Sequence, residues 1–123
     1  MKIQESAENY LEAILVLKQQ KGRIRYIDIV RHMDYTKPSI SRAISLLKTN
    51  GYVTVDTDGF IELTETGMSI AQKVLERHTF ISKWLISIGV SAETAADDAC
   101  RIEHAISDES FERIKEFVSK ADL

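Results

Sequence analysis

Three amphipathic helical segments, two short β-favouring runs joined by an Asp-Gly turn, and a further helical stretch predict a mainly α fold. The prediction is an N-terminal winged helix-turn-helix domain followed by a helical dimerisation domain. The order of elements carries it, because a two-stranded ribbon directly after three helices is the signature of a winged helix. The division falls at residues 1–72 for the winged-helix domain and 73–123 for the helical one.

The first helix starts with Ser6 as N-cap and stops near Gly22, with Tyr10, Leu11, Ile14, Leu15 and Leu17 as its apolar stripe. Ile27, Ile29, Val30 and Met33 outline a short second helix, and Asp34-Tyr35-Thr36-Lys37 reads as a tight turn. A third helix begins at about Pro38, whose fixed φ suits a first helical position, and ends near Asn50-Gly51. It carries Ile40, Ala43, Ile44, Leu46 and Leu47 inward. The runs Tyr52–Val55 and Phe60–Leu63 form a hairpin through Asp56-Thr57-Asp58-Gly59. Thr64 caps a long helix reaching about Ile88, with Ile70, Val74, Ile81, Trp84, Leu85 and Ile88 on its apolar side. After Gly89-Val90-Ser91, a fifth helix runs from about Ala92 to Ile106 and a sixth from about Glu109 to Ala121. This C-terminal half is too short to bury a sufficient core alone, so its apolar faces, Trp84 included, point to a second copy of the chain.

Bulk properties bound the rest. At 123 residues there is room for one ordinary domain or two very small ones. No apolar stretch approaches the roughly 20 residues of a membrane span, and the N-terminus lacks an apolar signal core. A single cysteine cannot form an internal disulfide, which fits a reducing cytoplasm. The net charge of −3 is unevenly spread. Between positions 18 and 48, Lys18, Lys21, Arg23, Arg25, Arg31, Lys37, Arg42 and Lys48 face only Asp28 and Asp34, while acid gathers between Glu93 and Glu116. Such a basic face attracts a phosphate backbone, although a solvated mixed-charge surface reads the same way on charge alone.

In a helix-turn-helix the N-terminal residues of the second helix lie nearest the bases. Here these are Thr36, Lys37, Pro38, Ser39, Ser41 and Arg42. Arg42 suits a bidentate guanine contact, the serines are small donors and acceptors, Lys37 suits a phosphate, and Pro38 offers an apolar edge to a thymine methyl. The wing tip Thr57-Asp58-Gly59 is acidic, so the wing is expected to contribute little to DNA binding. His32, on the second helix, is expected at the surface.

The lone cysteine lies in Ala99-Cys100-Arg101-Ile102-Glu103-His104. On a helix Cys100, Glu103 and His104 stand at i, i+3 and i+4 and share one face. Thiol, carboxylate and imidazole together can ligate a divalent transition metal, yet the run reads equally as a packed cysteine beside a surface Glu-His pair.

Several runs together resemble one family. They are Ser6-Ala7-Glu8-Asn9-Tyr10-Leu11-Glu12, Pro38-Ser39-Ile40-Ser41, Leu63-Thr64-Glu65-Thr66-Gly67, Arg77-His78, Ile88-Gly89-Val90, and Ala99 through Glu109. The chain resembles, over essentially its whole length, the metal-dependent repressors of the diphtheria toxin repressor type, which include the manganese transport regulators. The resemblance implies a homodimer that binds a palindromic double-stranded operator when metal is bound between its domains. Carried over by position, the ligands would be Asn9, Glu12, His78, Cys100, Glu103 and His104. Two departures matter. The ancillary site of iron-type members uses a glutamate and a histidine where this chain has Ser82 and Ala96. Asn9 stands where the two branches have aspartate or methionine. In length the chain resembles the manganese type and at Cys100 the iron type; a thiolate favours softer ions, so Fe(II) is expected over Mn(II). Two other classes remain open on the residues alone. One is a metal-independent winged-helix regulator that binds a small molecule. The other is a metal-dependent enzyme, for which the chain has neither a glycine-rich phosphate loop nor a recognisable nucleophile–base pair.

Overall fold

The computed structural model describes residues 5–120. Six helices and one two-stranded sheet follow in the order α1 (Glu5–Lys21), α2 (Tyr26–Met33), α3 (Lys37–Thr49), β1 (Val53–Val55), β2 (Ile61–Leu63), α4 (Glu65–Ser87), α5 (Ala92–Ala105) and α6 (Asp108–Lys120). The chain divides into two compact units, Met1–Gln72 and Lys73–Leu123.

In the N-terminal unit, α1 buries Leu11, Ala13, Ile14, Leu15 and Leu17, with acid in its first turn and lysine in its last, as the helix dipole favours. Ser6 lies inside this helix, because the helix already includes Glu5; the expected cap is therefore misplaced. Gly22 takes the left-handed conformation at φ 85° and returns its N–H to the Lys18 carbonyl at 2.8 Å, closing the helix. Asp28 in the first turn of α2 accepts the Arg25 backbone N–H at 2.9 Å. That bond, with the Lys21 ammonium beside it, holds the Asp28 carboxyl below its usual range.

Asp34 adopts φ 57° to end α2, and Thr36 then caps α3. Pro38 is the second helical residue rather than the first, since Lys37 already belongs to the helix. Ile40, Ile44 and Leu47 are buried, whereas Leu46, expected inward, is exposed. Positions 40, 44 and 47 follow the helical repeat and 46 falls off that face. The wing pairs antiparallel in the register Val53↔Leu63, Thr54↔Glu62 and Val55↔Ile61. Its turn is held by Asp56 Oδ1, which accepts the N–H groups of Asp58 and Phe60 at 2.9 Å each.

Thr64 joins the wing to α4. Its hydroxyl donates to the Gly51 carbonyl at 2.7 Å and its Oγ1 accepts the Gly67 N–H at 3.1 Å, making it the N-cap the sequence suggests. Gly67 packs so closely on the Tyr52 backbone that a β-carbon has no room beside the Tyr52 carbonyl oxygen.

The C-terminal unit contains the rest of α4 with α5 and α6. Ile81, Ala99 and Phe111 form its small core, with Phe80, Leu85, Ile102 and Ile106 packed around them. The Phe80 and Phe111 rings meet edge to face at 5.6 Å. Gly89 at φ 105° turns the chain, and Ser91 caps α5 by accepting the Thr94 N–H at 3.3 Å. Ile88, expected on the apolar side of α4, lies past its end and is exposed, as is Phe117 on α6. The expected end of the sixth helix at Ala121 lies outside the described residues.

Replacing Gly67 by alanine forces either the Tyr52 carbonyl or the first turn of α4 to move. We expect Gly67→Ala to lower stability by about 1–3 kcal/mol, read as a lower urea midpoint in the helical circular-dichroism signal.

Candidate metal centre and nucleic-acid interface

The first turns of α3 put Thr36, Lys37, Pro38, Ser39, Ser41 and Arg42 on the surface, while Ile40, Ile44 and Leu47 anchor the opposite side. Two of these six residues are partly committed to shaping the helix. Thr36 Oγ1 accepts the Ser39 N–H at 3.3 Å, and its hydroxyl donates to Ser39 Oγ at 2.8 Å. Among the described residues Lys37, Ser41 and Arg42 make no side-chain hydrogen bond or ion pair, and no acid lies in the first turn. The result is a helix start with two cations and a serine turned to solvent, suited to phosphates and base edges. His32 is exposed, as expected.

In the C-terminal unit, the Ser91-capped α5 brings the donor atoms of Cys100, Glu103 and His104 within 4.8 Å of one another. Glu103 is the centre of this group, and its side chain has no exposed surface. His78 on α4 places Nδ1 2.9 Å from Glu103 Oε2, and His104 places Nε2 3.3 Å from Oε1. A buried carboxylate is costly unless it is hydrogen-bonded or paired, and two imidazoles bracket this one. The His104 ring is 2 % exposed, while Cys100 is exposed.

This donor set fits a divalent transition metal. Sulfur, oxygen and nitrogen donors bind at roughly 2.0–2.3 Å, which spaces two ligands of one ion about 3–4 Å apart. Donors within 4.8 Å of one another lie near that spacing. Asn9 and Glu12 lie on α1 of the N-terminal unit, three residues apart and half-buried. Ser82 and Ala96, at the positions of the ancillary pair, are also half-buried, and neither side chain offers a strong metal donor.

The residue that sequence reasoning assigned no role is Arg77. It is 7 % exposed and binds three groups at the corner between α5 and α6. Nη1 donates to the Glu103 carbonyl at 3.1 Å and to the Ile106 carbonyl at 2.7 Å, and Nη2 donates to Asp108 Oδ1. A cation suits the C-terminus of α5, where carbonyl groups collect partial negative charge. Hydrogen bonding from Lys73, reinforced by the charges of Lys73 and Arg77, holds the Asp108 carboxyl below its usual range. The only sequence hint was the adjacency of Arg77 to His78, because the partners lie 26 to 31 residues away.

Two family models match the chain. The iron dependent repressor N-terminal DNA binding domain covers residues 2–59, and the iron dependent repressor metal binding and dimerisation domain covers residues 64–122. The chain is 34% identical over 118 residues to an uncharacterised HTH-type transcriptional regulator of Methanocaldococcus jannaschii, covering 94% of each. It is 31% identical over 113 residues to the HTH-type transcriptional regulator MntR of Geobacillus kaustophilus, covering 92% of this chain and 80% of that relative. The solved structure of the manganese regulator SloR matches with a TM-score of 0.81 and 25% identity over 97% of this chain. This chain covers 55% of the SloR chain.

Arg77→Met leaves two inter-helix carbonyls without their donor and should lower stability by about 2–3 kcal/mol in urea denaturation. Arg77→Lys, which keeps the charge but cannot fork to three acceptors, should lose a smaller part. Because Asp108 titrates lower in the folded chain, its contribution is complete above the ordinary carboxylate pKa and fades as pH falls through the lowered one. The stability gap between the parent and Asp108→Asn should therefore close on acidification below about pH 4.

Proposed function

The chain belongs to the iron dependent repressor family, metal-dependent transcriptional repressors of the diphtheria toxin repressor type, and on that footing we propose that it is a homodimeric sensor of Mn(II) or Fe(II). The family is one of transcriptional regulators and not of enzymes. The observation that carries the proposal is the buried Glu103 carboxylate between the His78 and His104 rings, with the Cys100 thiol beside it. These are N, O and S donors gathered where an acid alone would be costly to bury.

Cys100, Glu103, His104 and His78 would hold the ion in the C-terminal unit, with Glu12 and the Asn9 amide oxygen as the ligands contributed by α1. A bound divalent ion supplies a double positive charge that satisfies Glu103 in place of the imidazoles. Metal occupancy would control operator binding, in which the exposed Lys37, Pro38, Ser41 and Arg42 would read the DNA. The linkage is reciprocal, so DNA tightens metal binding by the factor that metal tightens DNA binding. The C-terminal unit exposes Ile86, Ile88 and Phe117, apolar groups suited to a second copy. A two-fold dimer presents two α3 helices to a palindromic site in successive major grooves.

Ion choice turns on Cys100. Its thiolate favours Fe(II) over Mn(II), the order expected from the sequence. The relatives lend that preference no support, since the solved structure described above is of a manganese regulator. Cys100 is thus proposed as the discriminating ligand within the Mn(II)–Fe(II) pair.

Anaerobic DNA-binding titrations with Fe(II), Mn(II), Co(II) and Zn(II) test this reading. Glu103→Gln should weaken metal binding by at least the 10–100-fold typical of losing an outer-shell partner, and remove the metal response of DNA affinity. Cys100→Asp should shift the preference towards Mn(II) while keeping a metal response. Unchanged DNA affinity with every ion would sink the metal switch and favour a metal-independent regulator.

A further inference from the structure

We propose that Arg23 and Arg25, stacked on Phe60 at the base of the wing, form a second contact for the DNA phosphate backbone. The inference rests on the DNA-binding reading and adds a surface outside α3. It also revises the expectation that the wing contributes little, which looked only at the acidic tip.

The sequence Arg23-Ile24-Arg25 follows the left-handed Gly22: Arg23 lies in a bend and Arg25 is extended at φ −125° and ψ 175°. Ile24 is fully buried, and its carbonyl accepts the Ile61 N–H from β2 at 2.9 Å, which fastens this segment to the wing. The flanking arginines are both exposed. Their guanidinium carbons lie 3.7 and 4.2 Å from the centre of the Phe60 ring. Both guanidiniums are thus within cation–π range of one ring.

Stacking thus holds two cations no more than roughly 8 Å apart, about one Debye length at physiological salt. Their mutual repulsion is only partly offset. Arg23 lies 3.7 Å from Asp56, whose other oxygen is occupied by the turn. Among the described residues Arg25 has no carboxylate in ion-pair range. The neighbouring lysines are committed, Lys18 to Glu62 and Lys21 to Asp28. With its side chain 64 % exposed, Arg23 is open to a partner.

A polyanion with regularly spaced charges relieves this repulsion, and one DNA strand carries a phosphate per about 3.4 Å of axis. The wing is also wired to α3, because the Tyr52 N–H bonds the Leu47 carbonyl at 2.9 Å just before β1. The wing and α3 thus belong to one connected frame in the N-terminal unit, and DNA is the polyanion that the DNA-binding reading already brings to that frame. Such a contact positions the protein without reading sequence.

The test is the salt dependence of binding of the full chain, with Mn(II) present, to a labelled mixed-sequence duplex. Arg23→Gln/Arg25→Gln removes two contacts from each subunit of the proposed dimer and should make the log–log salt slope shallower by about 4, at roughly 0.9 per phosphate contact. The parent's advantage over this variant should shrink on the order of a hundredfold between about 50 and 200 mM salt. Arg23→Lys/Arg25→Lys keeps the charge, so its slope should recover while affinity stays several-fold below the parent. Phe60→Leu, which retains an apolar side chain, should also weaken binding by loosening both arginines. If the glutamine pair matches the parent in slope and affinity while Lys37→Ala/Arg42→Gln weakens binding, the stack is no contact and the DNA-binding reading stands. If the parent itself binds no duplex, the reading beneath the inference has failed as well.

Discussion

A carboxylate withdrawn from water has to be matched by donors or cations, and the C-terminal unit is organised around one that is. Glu103 has no exposed side-chain surface, and the rings of His78 and His104 meet its two oxygens. The preceding residue on α4, Arg77, takes the main-chain carbonyl of the same glutamate. Consecutive residues of one helix therefore grip Glu103 twice, at its backbone and at its carboxylate. The grip extends through Ile106 and Asp108 to the start of α6, so the corner following the ligand-bearing turn of α5 is fixed by one buried guanidinium. In the proposed metal-binding role, such support would hold the Glu103 side chain near its working position before any ion arrives.

The N-terminal unit solves a different problem, that of presenting polar groups on a rigid frame. Ile40, Ile44 and Leu47 bind α3 to the core, which leaves Lys37, Ser41 and Arg42 facing solvent. The Thr36 cap sets where the helix begins, and Thr64 ties the end of the wing to α4 through Gly51 and Gly67. Burying an isoleucine stabilises by about 1.5–3 kcal/mol, whereas an exposed ion pair contributes about 0–1. The aliphatic face therefore holds the helix, and its cations stay available for a partner.

The donor set itself is mixed in softness and in exposure. An exposed thiol sits with a buried carboxylate and a buried imidazole, and the α1 candidates are one carboxylate and one neutral amide. A hard oxygen-rich set suits Mn(II), and each thiolate moves the balance towards later metals. Replacing carboxylates by an amide and a thiolate also lowers the number of anionic oxygens available to an ion. By the family resemblance, Asn9 matches neither branch, whereas Cys100 matches the iron type.

The sequence alone determined the features governed by local repeat and local chemistry. The helical repeat put Cys100, Glu103 and His104 on one face, Asp-Gly marked the wing, and Thr64 announced the start of α4. Where two local signals competed, local reasoning slipped. Ser6 looked like a cap but lies within α1, and Leu46 looked like core but faces out. Tertiary structure decided everything that depends on residues far apart in the chain. It brought His78 to Glu103 across 25 positions, set Arg77 on carbonyls that no motif records, and stacked Arg23 and Arg25 on Phe60. Periodicity states which way a side chain points within its own helix. Burial, which makes a carboxylate need partners, is a property of the packed molecule.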